Sequence, residues 1–355
     1  MPSGDKIQPK VLDATWVISR QVVLQDRNQL PGLFKDLKRI IPAEAISGPP
    51  FCIIQFITSL TEGSDAEIGF PVKGPVPEDP GLARQLPAVE VLSLSHQGPP
   101  EGLGESYRRL YGWAAERGII SDEFCREVYL NPDKSNLGEI EVQFVIHPWH
   151  QLFDDHLSRV LGSEKANQIK PGSAELTVGS TLKERFAWVR KAVEGLEDDA
   201  GEGECYQVLS SCAHVFPAGQ IAKLRGVYQA AKKQTGEPLQ AVDAVIDFMG
   251  EDPGWGEKPR REGNTVYSSK NPRDPAAYEK ATSLEEKRKA YCFCPLIREN
   301  LGEGMPSLFC YCGAGWYRQQ WEGAIGQPVK IEITRSLLKG DDRCEFAIQL
   351  PGVME

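Results

Sequence analysis

The stretch that decides the fold runs LSLSHQGPPEGLGESYRRLYGWAAERGI over residues 92–119, FCREVYLNPD over 124–133 and GEIEVQFVI over 138–146. In its first piece Leu103, Tyr107, Leu110, Tyr111 and Ala114 recur at helical spacing. In its last, Val142, Phe144 and Ile146 alternate with Glu141, Gln143 and Val145, as a strand with one buried face does. The order is strand, helix, strand, turn, strand.

The same order appears earlier, as VVLQDRNQLPGLFKDLKRII (22–41), FCIIQFITSL (51–60) and DAEIGFPV (65–72). Leu30, Leu33, Phe34, Leu37, Ile40 and Ile41 carry the helical period, and Ile68, Phe70 and Val72 the strand alternation. Glu62-Gly63-Ser64-Asp65 and Asn131-Pro132-Asp133 are turn signals at matching places. The fold class is therefore α+β. Two duplicated strand-helix-strand-strand units pair into one antiparallel sheet with both helices on one face, leaving a concave surface between repeats that suits a ligand.

From about residue 151 the pattern becomes helical, so the expected division is 10–150 and 151–355. Thr181-x-x-Glu184 is a capping box ahead of Leu182, Phe186, Val189, Val193 and Leu196. Ile221, Leu224, Tyr228 and Ala231 mark a helix closed by Gly236, and Pro238 opens another that Gly250 closes. Residues 251–276 are rich in Gly, Pro and charge and read as a long loop. Ser283-x-x-Glu286 caps a short helix that leads to Tyr291. The end is mixed: a helix through Trp316, Tyr317, Gln320 and Trp321, the strand PVKIEIT, a Gly-Asp-Asp turn at 340–342 and a last strand with Cys344, Phe346 and Ile348 on one face.

Lysine and arginine number 40 against 50 aspartates and glutamates, for a net charge of −10. That excludes a general electrostatic footprint for nucleic acid. EKPRRE, around Arg260 and Arg261, reads as a solvated loop. No apolar run reaches the ~18 residues needed to span a bilayer, and MPSGDKIQPK lacks the apolar core of a signal peptide. The expected location is the cytoplasm. The expected partner is a small molecule, with neither nucleic acid nor membrane, and a homodimer is allowed.

LPAVEVLSLSHQGPPEGLGESYRRLYGWAAERG, REVYLNP and EIEVQFVI together resemble the GyrI-like, or AraC-type effector-binding, domain family over about residues 12–149. The resemblance implies the duplicated fold just read, and a pocket for small, apolar or cationic molecules with aromatic walls and a buried glutamate. Regulators in the family carry a helix-turn-helix domain, usually ahead of the pocket domain; about eleven residues precede the match here, so a one-component transcription factor is not expected unless the second half binds DNA, of which its composition gives no hint. A branch of the family hydrolyses cyclopropane-bearing toxins.

Carried over residue by residue, Glu127 and Tyr129 match the family's Glu-x-Tyr and share one face of a strand. Glu141 matches the acidic residue opening the last strand, with Glu67 in the equivalent place of repeat one. Tyr107, Tyr111 and Trp113 lie on or near the helix facing this sheet. A carboxylate among aromatic rings is poorly solvated and attracts a cation, with cation–π help from the rings. Tyr107 and Tyr111, at helical spacing, read more readily as plain core, and Glu141 reads as well as a solvated residue. A hydrolase of an electrophilic xenobiotic is the alternative, and it would draw on Glu127, Glu141 and Tyr129 as catalytic groups. A third reading is an adaptor docking a partner through residues 151–355.

CYCGAGWYRQQWEGAIGQPVKIEITRSLLKGDDRCEFAI resembles 4-vinyl reductase-type ligand-binding domains over about residues 290–350. Some sensor relatives of that type hold a structural zinc with cysteines at the start of the helix and in the hairpin, places where Cys310 and Cys344 fall. The other ligand places lie near Ile333 and Ser336, which cannot bind zinc. Cys292, Cys294 and Cys312 are the thiols it would recruit. Pro295 and Gly313 disfavour a helix through either Cys-x-Cys pair, and in extended chain each pair would point one way. Zinc, reactive thiols and inert buried thiols stay open as alternatives. Cys52, Cys125, Cys205 and Cys212 read as buried small hydrophobes. His147, His150 and His156, with Asp154 and Asp155, read as a polar linker or a metal site. His96 is expected to order the loop before Gly98-Pro99.

Overall fold

The computed structural model describes residues 6–55, 64–75, 83–132, 138–170, 176–216 and 218–352. The turn expected at Asn131-Pro132-Asp133 and the start of the one at Glu62 lie partly outside them. The chain divides into two compact units, Met1–His147 and Pro148–Glu355.

The first unit contains strands β1 (Gln8–Leu12) and β2 (Thr15–Leu24), helix α1 (Leu30–Lys38), then β3 (Phe51–Gln55), β4 (Ser64–Pro71), β5 (Ala83–Leu86) and β6 (Val89–Gln97). Helix α2 (Leu103–Glu116), β7 (Ser121–Tyr129) and β8 (Glu139–Ile146) complete it. The eight strands form one antiparallel sheet in the order β1-β6-β8-β7-β3-β4-β2-β5. The order is a palindrome about the β7–β3 pair, as expected of two repeats related by a two-fold axis.

The sequence reading found six of these strands; β1 and β5 are additional. Each precedes one repeat but pairs with the other: β1 lies on β6, with Gln8 opposite Ser93, and β5 lies on β2, with Leu86 opposite Thr15. The repeats thus exchange their leading strands.

Register assigns every strand residue to a face, because directly opposed residues point the same way. On β7, Cys125, Glu127 and Tyr129 oppose Phe144, Val142 and Ile140 of β8. On the β3 side, Cys52 and Ile54 oppose Glu127 and Cys125. This face carries the helices: Leu30, Phe34 and Leu37 of α1 and Leu103, Leu110 and Ala114 of α2 are buried, with Phe34 against Phe70 at 6.1 Å and Tyr111 edge-on to Phe144 at 4.6 Å between ring centroids. Fully burying one such Leu or Phe contributes about 1.5–3 kcal/mol. The opposite face has its own apolar cluster of Val17, Phe51 and Leu86, with Ile53 and Val128 packed on it. Gly69 makes room there, since a Cβ at that position would meet the Phe51 ring at 2.5 Å.

The second unit begins with α3 (Trp149–Leu161), α4 (Ser163–Ile169), α5 (Leu182–Asp199), α6 (Glu202–Ser211), α7 (Ala218–Thr235) and α8 (Pro238–Glu251). Both sides of the Thr181–Glu184 capping box form, and Gly236 stops α7 with φ +76°. The stretch expected as a polar linker is the amphipathic helix α3, which buries Trp149, Phe153, Asp154 and Leu157. The 251–276 segment is no simple loop. It contributes β9 (Arg260–Glu262) and β10 (Thr265–Ser269), and Arg261 clasps Asp243 through two hydrogen bonds of 2.6–2.7 Å. Then come α9 (Pro275–Lys280), α10 (Leu284–Tyr291), α11 (Pro295–Arg298), α12 (Tyr311–Ile325), β11 (Lys330–Arg335) and β12 (Glu345–Gln349). The small sheet runs β11-β12-β10-β9. Tyr317 and Trp321 of α12 are 1% exposed and form its core beside Ile331 and Ile348. No helix among the described residues is long and apolar enough to cross a membrane.

Candidate functional site

At the centre of the large sheet, on the helix-covered face, sits the carboxylate of Glu127, with no solvent exposure at all. Desolvating a carboxylate costs several kcal/mol unless it is paired and hydrogen-bonded. Here both conditions are met. Tyr107 of α2 donates its hydroxyl to Oε1 and Tyr129 of β7 donates to Oε2. Arg27 supplies the charge: its Nε lies 3.1 Å from each oxygen and its Nη2 2.7 Å from Oε1.

Arg27 opens a one-turn 3-10 helix, Arg27–Gln29, between β2 and α1. That turn is pinned by a capping box: the Asp26 side chain accepts from the Asn28 backbone, and the Gln29 side chain accepts from the Asp26 backbone N–H. The arginine comes from repeat one and the glutamate from repeat two, 100 residues apart. The repeat-one residue directly across the β3–β7 pair from Glu127 is Cys52, which carries no charge. The polar centre is therefore one-sided.

The electrostatics follow from burial and one negative charge. Burial opposes the Arg27 cation, but the Glu127 carboxylate outweighs it and raises the guanidinium's pKa. Burial first, and then the Glu127 charge, push the Tyr107 and Tyr129 phenols well above their ordinary value. Both stay protonated and donating at neutral pH. Cys52 and Cys125, beside them on the same face, are raised for the same two reasons and are inert thiols. Phe34 closes the shell, 5.4 Å from the Tyr129 ring.

The expected site residues therefore divide. Glu127, Tyr129 and Tyr107 converge. Tyr111 is one turn on, against Phe144. Trp113 lies further round α2, with the Arg117 guanidinium 3.9 Å over its ring. Glu141 does not converge: it opposes Val128, one residue out of phase with Glu127, and so points to the other face. There it accepts from Lys10 at 2.8 Å, Ser93 at 2.6 Å and Gln143 at 3.1 Å. Burial raises its pKa, but those three hydrogen bonds prevail and hold it below the usual value. A hydrolytic pair made of Glu127 and Glu141 is thus ruled out by strand alternation. Glu67 shares the Glu141 face, bonded to Arg84 and Gln21. Its register partner is Ile53 as that of Glu141 is Val128, and its pairing with Arg84 beside Ser19 mirrors that of Glu141 with Lys10 beside Ser93, so Glu67 answers to Glu141 as expected.

His96 behaves as expected, tying Ser106 at 3.0 Å through Nδ1 and the Pro99 carbonyl at 3.0 Å through Nε2. Arg27 was missed by sequence reasoning. The Asp26-x-x-Gln29 capping signature marks its turn, but nothing local announces a partner on a distant strand.

The cysteine-rich end is partly helical, contrary to the extended reading. Cys310 ends a 3-10 turn and Cys312 is in the first turn of α12. Small residues permit this: a Cβ on Gly315 would lie 1.9 Å from the Ser210 carbonyl, so Gly lets α12 press onto α6. Cys310 and Cys344 are hydrogen-bonded to each other, which lowers the pKa of Cys344 and raises that of Cys310. Ser336 Oγ donates to Cys310 at 3.1 Å. Cys292 and Cys312 instead direct their thiols to the carbonyls of Cys294 and Cys212, at 3.7 and 3.4 Å, and burial pushes Cys312 up to about 12. Among the described residues no three His, Cys, Asp or Glu side chains gather to hold a metal ion. Two adjacent thiols with a serine at the third place do not make the closed four-ligand set of structural zinc.

Residues 17–146, from within β2 to the end of β8, match the family described as GyrI-like small molecule binding domain. No curated protein matches the chain. Among solved structures, EcmrR in its DNA complex is 20% identical, and the alignment covers 40% of this chain and 57% of that one, with a TM-score of 0.34. The present chain thus spans little more than half of that regulator. SAV2435 bound to tetraphenylphosphonium is 11% identical over 41% of this chain and 96% of its own, with a TM-score of 0.30. A hydrolase encoded by lin2189 from Listeria innocua is 9% identical over 41% and 94%, also with a TM-score of 0.30.

Proposed function

We propose that the first unit binds a small, largely apolar molecule on the helix-covered face of its sheet, and that the protein serves in sensing or sequestration. The observation that carries this is the fully buried Glu127 carboxylate inside a shell of Tyr107, Tyr129 and Phe34. A charge is costly in such a place, and a simple core would hold an uncharged residue there, as repeat one does with Cys52 directly opposite. The family match of residues 17–146 to a small-molecule-binding domain supports the same reading. The rings supply apolar area and flat surfaces for an aromatic ligand.

Titration calorimetry of the full chain with a panel of polycyclic aromatic compounds of positive, zero and negative charge tests it. Saturable binding of one molecule per chain, weakened at least about tenfold by Phe34→Ala or Tyr107→Phe, is expected. Absence of heat across the panel, or binding indifferent to both substitutions, overturns it.

A further inference from the structure

The sequence suggests that Glu127 awaits a cationic ligand. The structure already gives it one, from within. Glu127 presents two oxygens, each taken by a tyrosine hydroxyl, and the Arg27 guanidinium bridges both. A ligand ammonium or phosphonium would have to evict Arg27 before meeting the carboxylate. Eviction means giving up a charge-assisted fork in a desolvated setting, where it is worth most.

The pair is also asymmetric in access. The Glu127 side chain is 0% exposed, that of Arg27 20%. Whatever enters along this side meets the arginine first. The bonds to Glu127 use Nε and Nη2, which leaves the Nη1 N–H groups outside the pair. A guanidinium engaged on one edge still presents donors on the other, in the planar geometry that suits a carboxylate or another oxyanion. The turn that holds it is fixed by the Asp26–Gln29 box, so the cation is pre-placed rather than mobile.

We infer that Arg27 determines the charge selectivity of this site: it is a built-in cation that excludes cationic ligands and favours apolar ligands carrying an anionic or acceptor group. This rests on the binding role proposed above for the same face. Glu127, Tyr107 and Tyr129 are then the seat of the arginine, and the ligand contacts the seated arginine and the surrounding rings.

Tetraphenylphosphonium and tetraphenylborate are matched in shape and opposite in charge, so their affinities for the full chain isolate the charge effect. The native protein is expected to prefer tetraphenylborate by at least about tenfold. Arg27→Ala, which frees the carboxylate, is expected to reverse that preference. Arg27→Lys, which keeps the charge, is expected to retain its sign. Because Arg27→Ala leaves a buried carboxylate uncompensated, the doubly neutral Arg27→Gln/Glu127→Gln protein is measured as well, and near-equal affinity for the two probes is expected there. A ratio of affinities that is the same in the native protein, Arg27→Ala and the double variant overturns the selectivity role and leaves the binding role standing. No binding of either probe by any variant overturns both.

Discussion

Glu127→Gln is the perturbation that tests the centre of the site. The substitution keeps shape and one acceptor oxygen, so at least one tyrosine hydroxyl keeps a partner. What it removes is the counter-charge of Arg27. Breaking a buried pair by neutralising one member costs about 3–5 kcal/mol, because the other charge stays behind. Arg27 is one-fifth exposed and can recover some hydration, which places the cost at the lower end, about 3 kcal/mol. For a unit of this size 1 kcal/mol moves the melting temperature by roughly 3–4 °C, so the first unit's transition should fall by about 10 °C. Differential scanning calorimetry reads it directly. Adding Arg27→Gln to Glu127→Gln should then recover at least about half the loss, since two amides replace a stranded cation. A fall of less than about 2 °C, or a double variant whose loss equals the sum of the two singles, would refute the claim that the pair is electrostatically coupled.

Glu141 offers a test by acid. Its pKa is lowered on folding below the ordinary 4.5, so the carboxylate stabilises the fold above that value and the contribution is lost as pH falls through the lower, folded value. Denaturant titrations of the native chain and Glu141→Gln should differ by a constant amount from pH 7 to about pH 5 and converge toward pH 3; a gap that widens in acid contradicts the assignment. In the second unit, Gly315→Ala should destabilise by about 3 kcal/mol or more, because its Cβ would strike the Ser210 backbone carbonyl. Gly323→Ala, whose Cβ would meet the Ile221 side chain at 2.6 Å rather than a backbone carbonyl at 1.9 Å, should cost less; equal melting temperatures for the two variants would show that α12 and α6 are not so tightly apposed.

The repeat was legible because each unit states its periods cleanly: a helical run from Leu103 to Ala114, then a strand in which Val142, Phe144 and Ile146 alternate with Glu141, Gln143 and Val145. Capping boxes at Thr181 and Ser283 were equally readable, being local contracts between residues three apart. Strands β1 and β5 were not. QPKVL and ARQL are four or five residues long, lie at sheet edges and carry too few apolar side chains to show a period. The β9–β10 hairpin was hidden by the glycine, proline and charge around it, which masked the brief alternation of TVYSS. At the site, the chemistry of Glu127, Tyr107 and Tyr129 could be read, but the phase of Glu141 could not. Which face a strand residue takes depends on register, and a slip of one residue reverses it. Arg27 lay beyond reach for a different reason. An arginine in a polar turn is ordinarily solvated, and its pairing across the two-fold axis leaves no trace in its neighbours.

The exchange of leading strands between the repeats has a consequence for biogenesis. Two tandem copies of one unit would ordinarily assemble one at a time as the chain leaves the ribosome. Here β1 is synthesised before the rest of the first repeat, yet among the described strands its partner is β6, and Lys10 on it waits still longer for Glu141 of β8. The nascent first repeat must therefore remain an incomplete sheet with an open edge until the second is made, a non-local closure of the kind that slows folding and exposes unpaired backbone. The two halves close into one sheet, and the junction of Arg27 with Glu127 comes into being only once β7 of the second half lies on β3 of the first.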